Sequence, residues 1–141
     1  MSYEFIDNLT MADVAFDAHG ETLEEMFRSA AEAVTATMVK ELDSIDETIE
    51  KKIEVENADV DMLLFNFLQE LIYYKDAEML LLRTYKITIT KQTTYHLTCV
   101  AKGEKLDMNK HELLVDVKAV TLHHFSVKHD KAWHARVILD V

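Results

Sequence analysis

The sequence predicts an α+β fold, a two-layer sandwich in which two helices pack on a mostly antiparallel sheet. Three observations lead there. Apolar residues recur at helical spacing in two segments, both before residue 80. From Arg83 onward they recur at every second position instead. Helices grouped early and strands grouped late suit an α+β arrangement, not alternating β–α units. The 141 residues contain no Pro and only two Gly, so no flexible linker divides them, and one domain spanning 1–141 is expected. Hydrophobic residues make up 49 % of the chain, enough to supply the core of such a domain.

Each element has its own local signal. Residues 3–6 and 12–18 read as strand pieces; in the second, Val14, Phe16 and Ala18 alternate with Asp13, Ala15 and Asp17. Gly20 is then expected to supply a turn. Thr22 followed by Glu25 is a capping box, so a helix should start at Thr22. Leu23, Met26, Phe27, Ala30, Val34 and Met38 form its apolar face. Residues 41–61 hold nine acids and two lysines. Within them 48–55 alternates Ile49, Lys51, Ile53 and Val55, the pattern of an edge strand protected by charge. Asp59 caps a second helix that is apolar nearly all round, through Met62, Leu63, Leu64, Phe65, Phe67, Leu68, Leu71 and Ile72. A helix of this kind packs on more than one side. It should end near residues 75–82. Tyr85, Ile87 and Ile89 then alternate with polar residues, and residues 91–93 form a hairpin turn into Tyr95, Leu97 and Cys99. Residues 103–112 read as a polar crossover, 115–127 as one or two strands, and 133–141 as a last strand running to the final residue.

Charge narrows the function classes. The net charge is −11, but residues 1–80 carry 20 acidic and 5 basic side chains against 6 and 10 in residues 81–141. The acidic half argues against a broad grip on nucleic acid, which needs clustered Lys and Arg. A cation or a basic protein surface is the more natural partner. No apolar run approaches the roughly 18 residues of a membrane span, and residues 1–7 lack the basic and apolar regions of a secretory signal. Cys99 is the lone cysteine, which fits a reducing cytosol. A monomeric cytoplasmic protein is expected, with no membrane and no direct nucleic-acid partner.

Motifs of catalysis do not appear. There is no Gly-x-Ser-x-Gly turn, phosphate-cradling Gly loop or Cys-x-x-Cys, so an enzyme is not expected. Six of the seven histidines follow residue 95, but no pair has the close spacing of a zinc site. His123 and His124, adjacent in a strand, should point to opposite faces. Cys99 reads as a small core residue. The chain end is more informative. Asp140 stands one position before the free α-carboxylate of Val141, at the end of a strand. Asp13 is placed alike, with apolar neighbours on the opposite face. If the two strands are neighbours, Asp13, Asp140 and the Val141 carboxylate converge. Three such oxygens with water suit Ca²⁺ or Mg²⁺ far better than a soft metal. Their mutual repulsion needs a compensating cation, and Lys118 is the candidate. The competing reading is a solvated chain-end Asp and a routine surface lysine.

In order along the chain, these motifs resemble the archease family. Ala12-Asp13-Val14-Ala15-Phe16, with a Gly before a capped helix, is similar to its start, and residues 63–74 to its second helix. Gly103-Glu104-Lys105-Leu106-Asp107, Lys110-His111-Glu112-Leu113 and Val115-Asp116-Val117-Lys118-Ala119-Val120-Thr121 resemble its most recognisable block. Ala135-Arg136-Val137-Ile138-Leu139-Asp140-Val141 looks like its carboxyl terminus. One stretch departs: the family commonly approaches the first Asp through an Asp-His-Thr-Ala-Asp-like run, whereas Asp7-Asn8-Leu9-Thr10-Met11-Ala12-Asp13 is longer and lacks the His. The resemblance implies a small α+β protein that activates the GTP-dependent tRNA-splicing RNA ligase. That role would promote guanylylation of the ligase's active-site histidine and repeated turnover. It also implies a divalent metal held by Asp13, Asp140 and the Val141 terminus, with Lys118 nearby. A general chaperone or adaptor with no metal-dependent role is the alternative, and a metal-dependent hydrolase a third.

Overall fold

The computed structural model describes residues 2–6 and 13–141. Strand β1 (Ser2–Ile6) and strand β2 (Asp13–Gly20) precede helix α1 (Leu23–Met38). A single 3₁₀ turn (Leu42–Ser44) leads to strand β3 (Ile49–Asn57) and helix α2 (Val60–Glu78). Strands β4 (Leu80–Lys91), β5 (Tyr95–Lys105), β6 (Ala119–His129) and β7 (Trp133–Asp140) follow. The departure of residues 7–12 from the family pattern lies outside the described residues.

The expected α+β sandwich is present, with every strand pairing antiparallel. The strands are shared between two sheets, in the orders β1-β2-β7-β6 and β3-β5-β4. Helix α1 packs on β1, β2 and β7 of the first sheet and on β4 of the second. Helix α2 packs on β3, β4 and β5 of the second sheet and on β6 of the first. This explains why α2 is apolar nearly all round: Leu63, Leu64, Phe67 and Leu68 are each 0 % exposed. Phe67 stacks on Phe27 of α1 at 6.1 Å between centroids and meets Tyr85 of β4 edge-on at 6.5 Å. Among the described residues no helix is long and apolar enough to cross a membrane.

Local signals hold with adjustments. Thr22 Oγ1 accepts from the Glu25 N–H at 3.1 Å, and Glu25 Oε2 accepts from the Glu21 N–H at 3.0 Å. Asp59 is the cap position of α2 but makes no side-chain cap bond. Its own N–H donates to Asn57 Oδ1 at 3.0 Å. The glycines differ most from expectation. Gly20 is the last residue of β2, and a Cβ there would lie 2.3 Å from the Met26 nitrogen, so the strand end abuts the first turns of α1. Gly103 belongs to β5 and not to the crossover, which starts after Lys105. A Cβ on Gly103 would lie 1.8 Å from the Leu81 carbonyl oxygen, next to the bulge between Leu82 and Thr84. Residues 115–127 contribute one strand, β6, which starts at Ala119 and bulges between Thr121 and Ser126. That bulge also overturns the expectation for His123 and His124. His124 has a φ of 53°, the alternation of faces breaks, and the two rings meet at 4.1 Å between centroids.

Candidate functional site

Strands β2 and β7 are neighbours, and their register sets Asp13 directly opposite Asp140. The pairing runs without a break from there to Gly20 opposite Trp133. The register follows from the apolar faces. Leu139 is fully buried, its partner Val14 packs on the core, and Phe16 opposes Val137 with both at 0 % exposure. A one-residue slip would turn all of these to the other face. With Val14 and Leu139 inward, Asp13 and Asp140 fall together on the outer face, each half-buried.

Val141 follows the last strand residue, half-buried, and packs on the core. That contact anchors the chain end beside Asp140. Lys118 comes from the segment leading into β6: its N–H donates to the Asp140 carbonyl at 2.8 Å, and its side chain is exposed. Among the described residues neither the Asp13 nor the Asp140 side chain appears in a hydrogen bond or ion pair. Also among them, no group of three or more His, Cys, Asp or Glu side chains is gathered as a metal cluster. Asp13 and Asp140 are the paired side-chain carboxylates that could hold a cation, and the expected third donor, the Val141 carboxylate, follows Asp140 in the chain. The chemistry of this set is all oxygen and all negative, which suits a hard cation and nothing softer.

The segment carrying Lys118 is held by a residue that sequence reasoning missed. Lys75, in the last turns of α2, is 5 % exposed. Its Nζ donates to Asp116 Oδ1 at 2.6 Å, to the Val117 carbonyl at 2.8 Å and to Asp76 Oδ1. Burial pulls its pKa down, but the hydrogen bonds to Asp116 and Asp76 outweigh it and the net direction is up. As the one basic residue of α2, on a helix with a wide apolar face, it was the signal available. A second clamp holds the preceding loop. Glu104 accepts from Lys110 Nζ at 2.8 Å and from the Asp46 N–H at 2.7 Å. His111, 2 % exposed, accepts the Asp107 N–H on Nδ1 at 3.0 Å, so its Nε2–H donates to Glu104, also at 3.0 Å. The Lys110 and Asp46 bonds, aided by His111, hold the Glu104 carboxyl down at about 2. Cys99 is 1 % exposed, and burial pushes its thiol up to about 12, so it is an unreactive core residue as expected.

Comparison with known proteins agrees with this architecture. Residues 3–141 match the family model of the Archease protein family (MTH1598/TM1083). A protein archease of Pyrococcus furiosus is 38 % identical over 133 residues, covering 92 % of this chain and 93 % of the relative. One of Methanothermobacter thermautotrophicus is 36 % identical over 141 residues, covering 99 % and 98 %. The solution structure of Methanobacterium thermoautotrophicum protein 1598 superposes with a TM-score of 0.84 at 35 % identity, over 99 % of each chain. The crystal structure of a Thermotoga maritima protein described as an archease, possible chaperone, shares the fold at a TM-score of 0.63 and 19 % identity, over 94 % and 93 %. With its whole described fold, its carboxyl-terminal strand and nearly its full length matched, this chain belongs to the archease family.

Proposed function

We propose that this protein is a metal-binding protein cofactor, not itself an enzyme, that activates the GTP-dependent tRNA-splicing RNA ligase in the cytosol. It promotes guanylylation of the ligase's active-site histidine and supports multiple turnover. The observation that carries the reading is the register of Asp13 opposite Asp140, one residue before the chain end, in a member of the archease family. Asp13, Asp140 and the Val141 carboxylate hold a hard divalent cation, Ca²⁺ or Mg²⁺. When bound, such an ion supplies charge neutralisation for phosphate oxygens, which GTP activation requires. Lys118, bonded through its backbone to Asp140, offsets the remaining negative charge and meets the partner. The acidic first half of the chain steers the protein toward basic surface on an RNA-binding ligase, so RNA contact is left to the ligase.

A general chaperone or adaptor is the second reading. It is favoured by the exposed run Leu113, Leu114 and Val115, at 39 %, 51 % and 44 %, and by exposed Met79 and Met108. Ligase guanylylation with GTP, with and without this protein and over several turnovers, separates the two. Activation that depends on Asp13 and Asp140 supports the first. Suppression of aggregation in unrelated proteins, indifferent to both aspartates, supports the second.

A further inference from the structure

The outer face of the β2–β7 pair carries a second polar set, at the end away from Asp13 and Asp140. His19 stands directly opposite His134. Their Nδ1 atoms are 2.7 Å apart, and the rings meet edge to face at 78°. Each imidazole turns its other nitrogen toward a carboxylate. His134 Nε2 is 3.1 Å from Asp130 Oδ1, and His19 Nε2 is 3.9 Å from Glu4 Oε1. Asp130 accepts and cannot donate when ionised, so it holds the His134 ring proton on Nε2, whereas Glu4 at 3.9 Å is beyond hydrogen-bond reach and does not fix the His19 tautomer. The His134 Nδ1 lone pair then faces His19 Nδ1 across 2.7 Å. A proton on His19 Nδ1 closes that contact as an N–H···N hydrogen bond, and a metal ion that displaces the proton would be held by both lone pairs.

We propose that His19 and His134 form a two-imidazole site for a borderline divalent transition metal such as Zn²⁺, Ni²⁺ or Cu²⁺. It is separate from the hard-cation site and independent of the ligase reading. A carboxylate-bonded imidazole such as His134 is the arrangement that metal-binding histidines use, because the outer carboxylate fixes the tautomer and raises ligand basicity. Two nitrogens each about 2.0–2.1 Å from one ion are about 2.9–3.4 Å apart for right-angle to tetrahedral geometry, so the rings need to part by less than about 1 Å. The side chains are 32 % and 39 % exposed, which permits that movement and leaves room for water ligands. They line a cavity of about 290 Å³ with Asp17, Ser126, Lys128 and Arg136. Asp17 is not a ligand, since Arg136 donates to its two oxygens at 2.9 Å and 3.0 Å. Lys128 is the remaining cation lining the cavity. Water therefore completes the coordination, as at metal sites that keep an open position.

The test is titration of the untagged chain with ZnCl₂, NiCl₂ and CuCl₂ in a non-chelating buffer, followed by calorimetry and by histidine ring NMR signals. One equivalent is expected, Cu²⁺ binding tightest, with the His19 and His134 ring signals perturbed first. His19→Asn and His134→Asn should each abolish this binding. Asp130→Ala should weaken it roughly 10- to 100-fold, the usual effect of losing an outer-shell partner. Asp140→Ala and excess Ca²⁺ should leave it unchanged. The touching rings of His123 and His124 are the rival site. Metal binding that survives His19→Asn but not His123→Asn, ring signals that shift only at other histidines, or no binding by the native chain would each overturn the proposal. The NMR observation needs no variant, so it decides the matter even if a substitution disturbs folding.

Discussion

Asp140→Ala should leave folding almost untouched and remove the protein's response to hard cations. Asp140 and Asp13 are directly opposed across the β2–β7 pair, so their Cβ atoms lie about 4.5–5.5 Å apart. Two unit charges at that separation repel by about 1 kcal/mol in a water-like dielectric and about 3 kcal/mol at an effective dielectric near 20. Both side chains are half-exposed, which favours the lower figure. The outward carboxylate fills no core space, so truncation opens no cavity. The metal-free variant should therefore be as stable as the native chain or better by about 1 kcal/mol, raising Tm by about 2–4 °C. The cation acts oppositely. At a free concentration of about 100 times Kd, a ligand of the folded state stabilises by about 2.7 kcal/mol, or about 5–11 °C at this chain length. Native protein should show that gain with CaCl₂ or MgCl₂, and Asp140→Ala should show none. Asp13→Ala should behave alike, and the double variant should be no worse, because both residues act on one ion. A residue appended after Val141 should also impair the response by displacing the terminal carboxylate. The assay is a thermal melt with and without metal, alongside a ligase guanylylation time course. An Asp140→Ala protein that gains several degrees on adding Ca²⁺ and activates the ligase normally would refute the site.

Three further perturbations probe the scaffold. Leu68→Ala, at a fully buried position of α2, should cost about 2–5 kcal/mol and lower Tm sharply; lost ligase activation with an unchanged melt would mean that Leu68 is functional surface. Lys75→Met keeps the apolar stem but strands the Val117 carbonyl, so it should cost about 1–3 kcal/mol. It should also speed amide exchange over residues 116–118, and unchanged exchange there would show that Lys75 does not position the Lys118 segment. Glu104 gives a pH signature. Its folded pKa of about 2 lies below the ordinary carboxylate value of about 4.3, so it stabilises the fold fully above the unfolded value, and that contribution is lost as pH falls through about 2. Glu104→Gln should flatten the acid limb of stability between about pH 5 and pH 2, and an unaltered limb in denaturant melts would contradict the clamp.

Much of the candidate site is legible in the sequence, because its signals are local. A capping box, a period of two and an Asp one residue before the chain end are all read within a few neighbouring positions. Thr22 as a cap, a last strand (read as 133–141, observed as Trp133–Asp140) and the doubly covered helix around residues 63–72 are all legible that way. The glycines misled for the same reason. Near polar residues Gly103 reads as the start of a polar crossover, yet what requires it is the Leu81 carbonyl, which arrives from another strand.

By itself, then, the sequence determined which residues alternate, where helices begin, which faces are apolar and which oxygens lie at the chain end. Only the tertiary structure decided which strands pair. It divided the strands between two sheets, set Asp13 against Asp140, and joined Lys75 to Asp116 across 41 residues and His19 to His134 across 115. The physical reason is that periodicity records the direction a side chain takes from its own backbone. Pairing and register depend on matching apolar faces between segments far apart in the chain, and an apolar face does not by itself specify its partner.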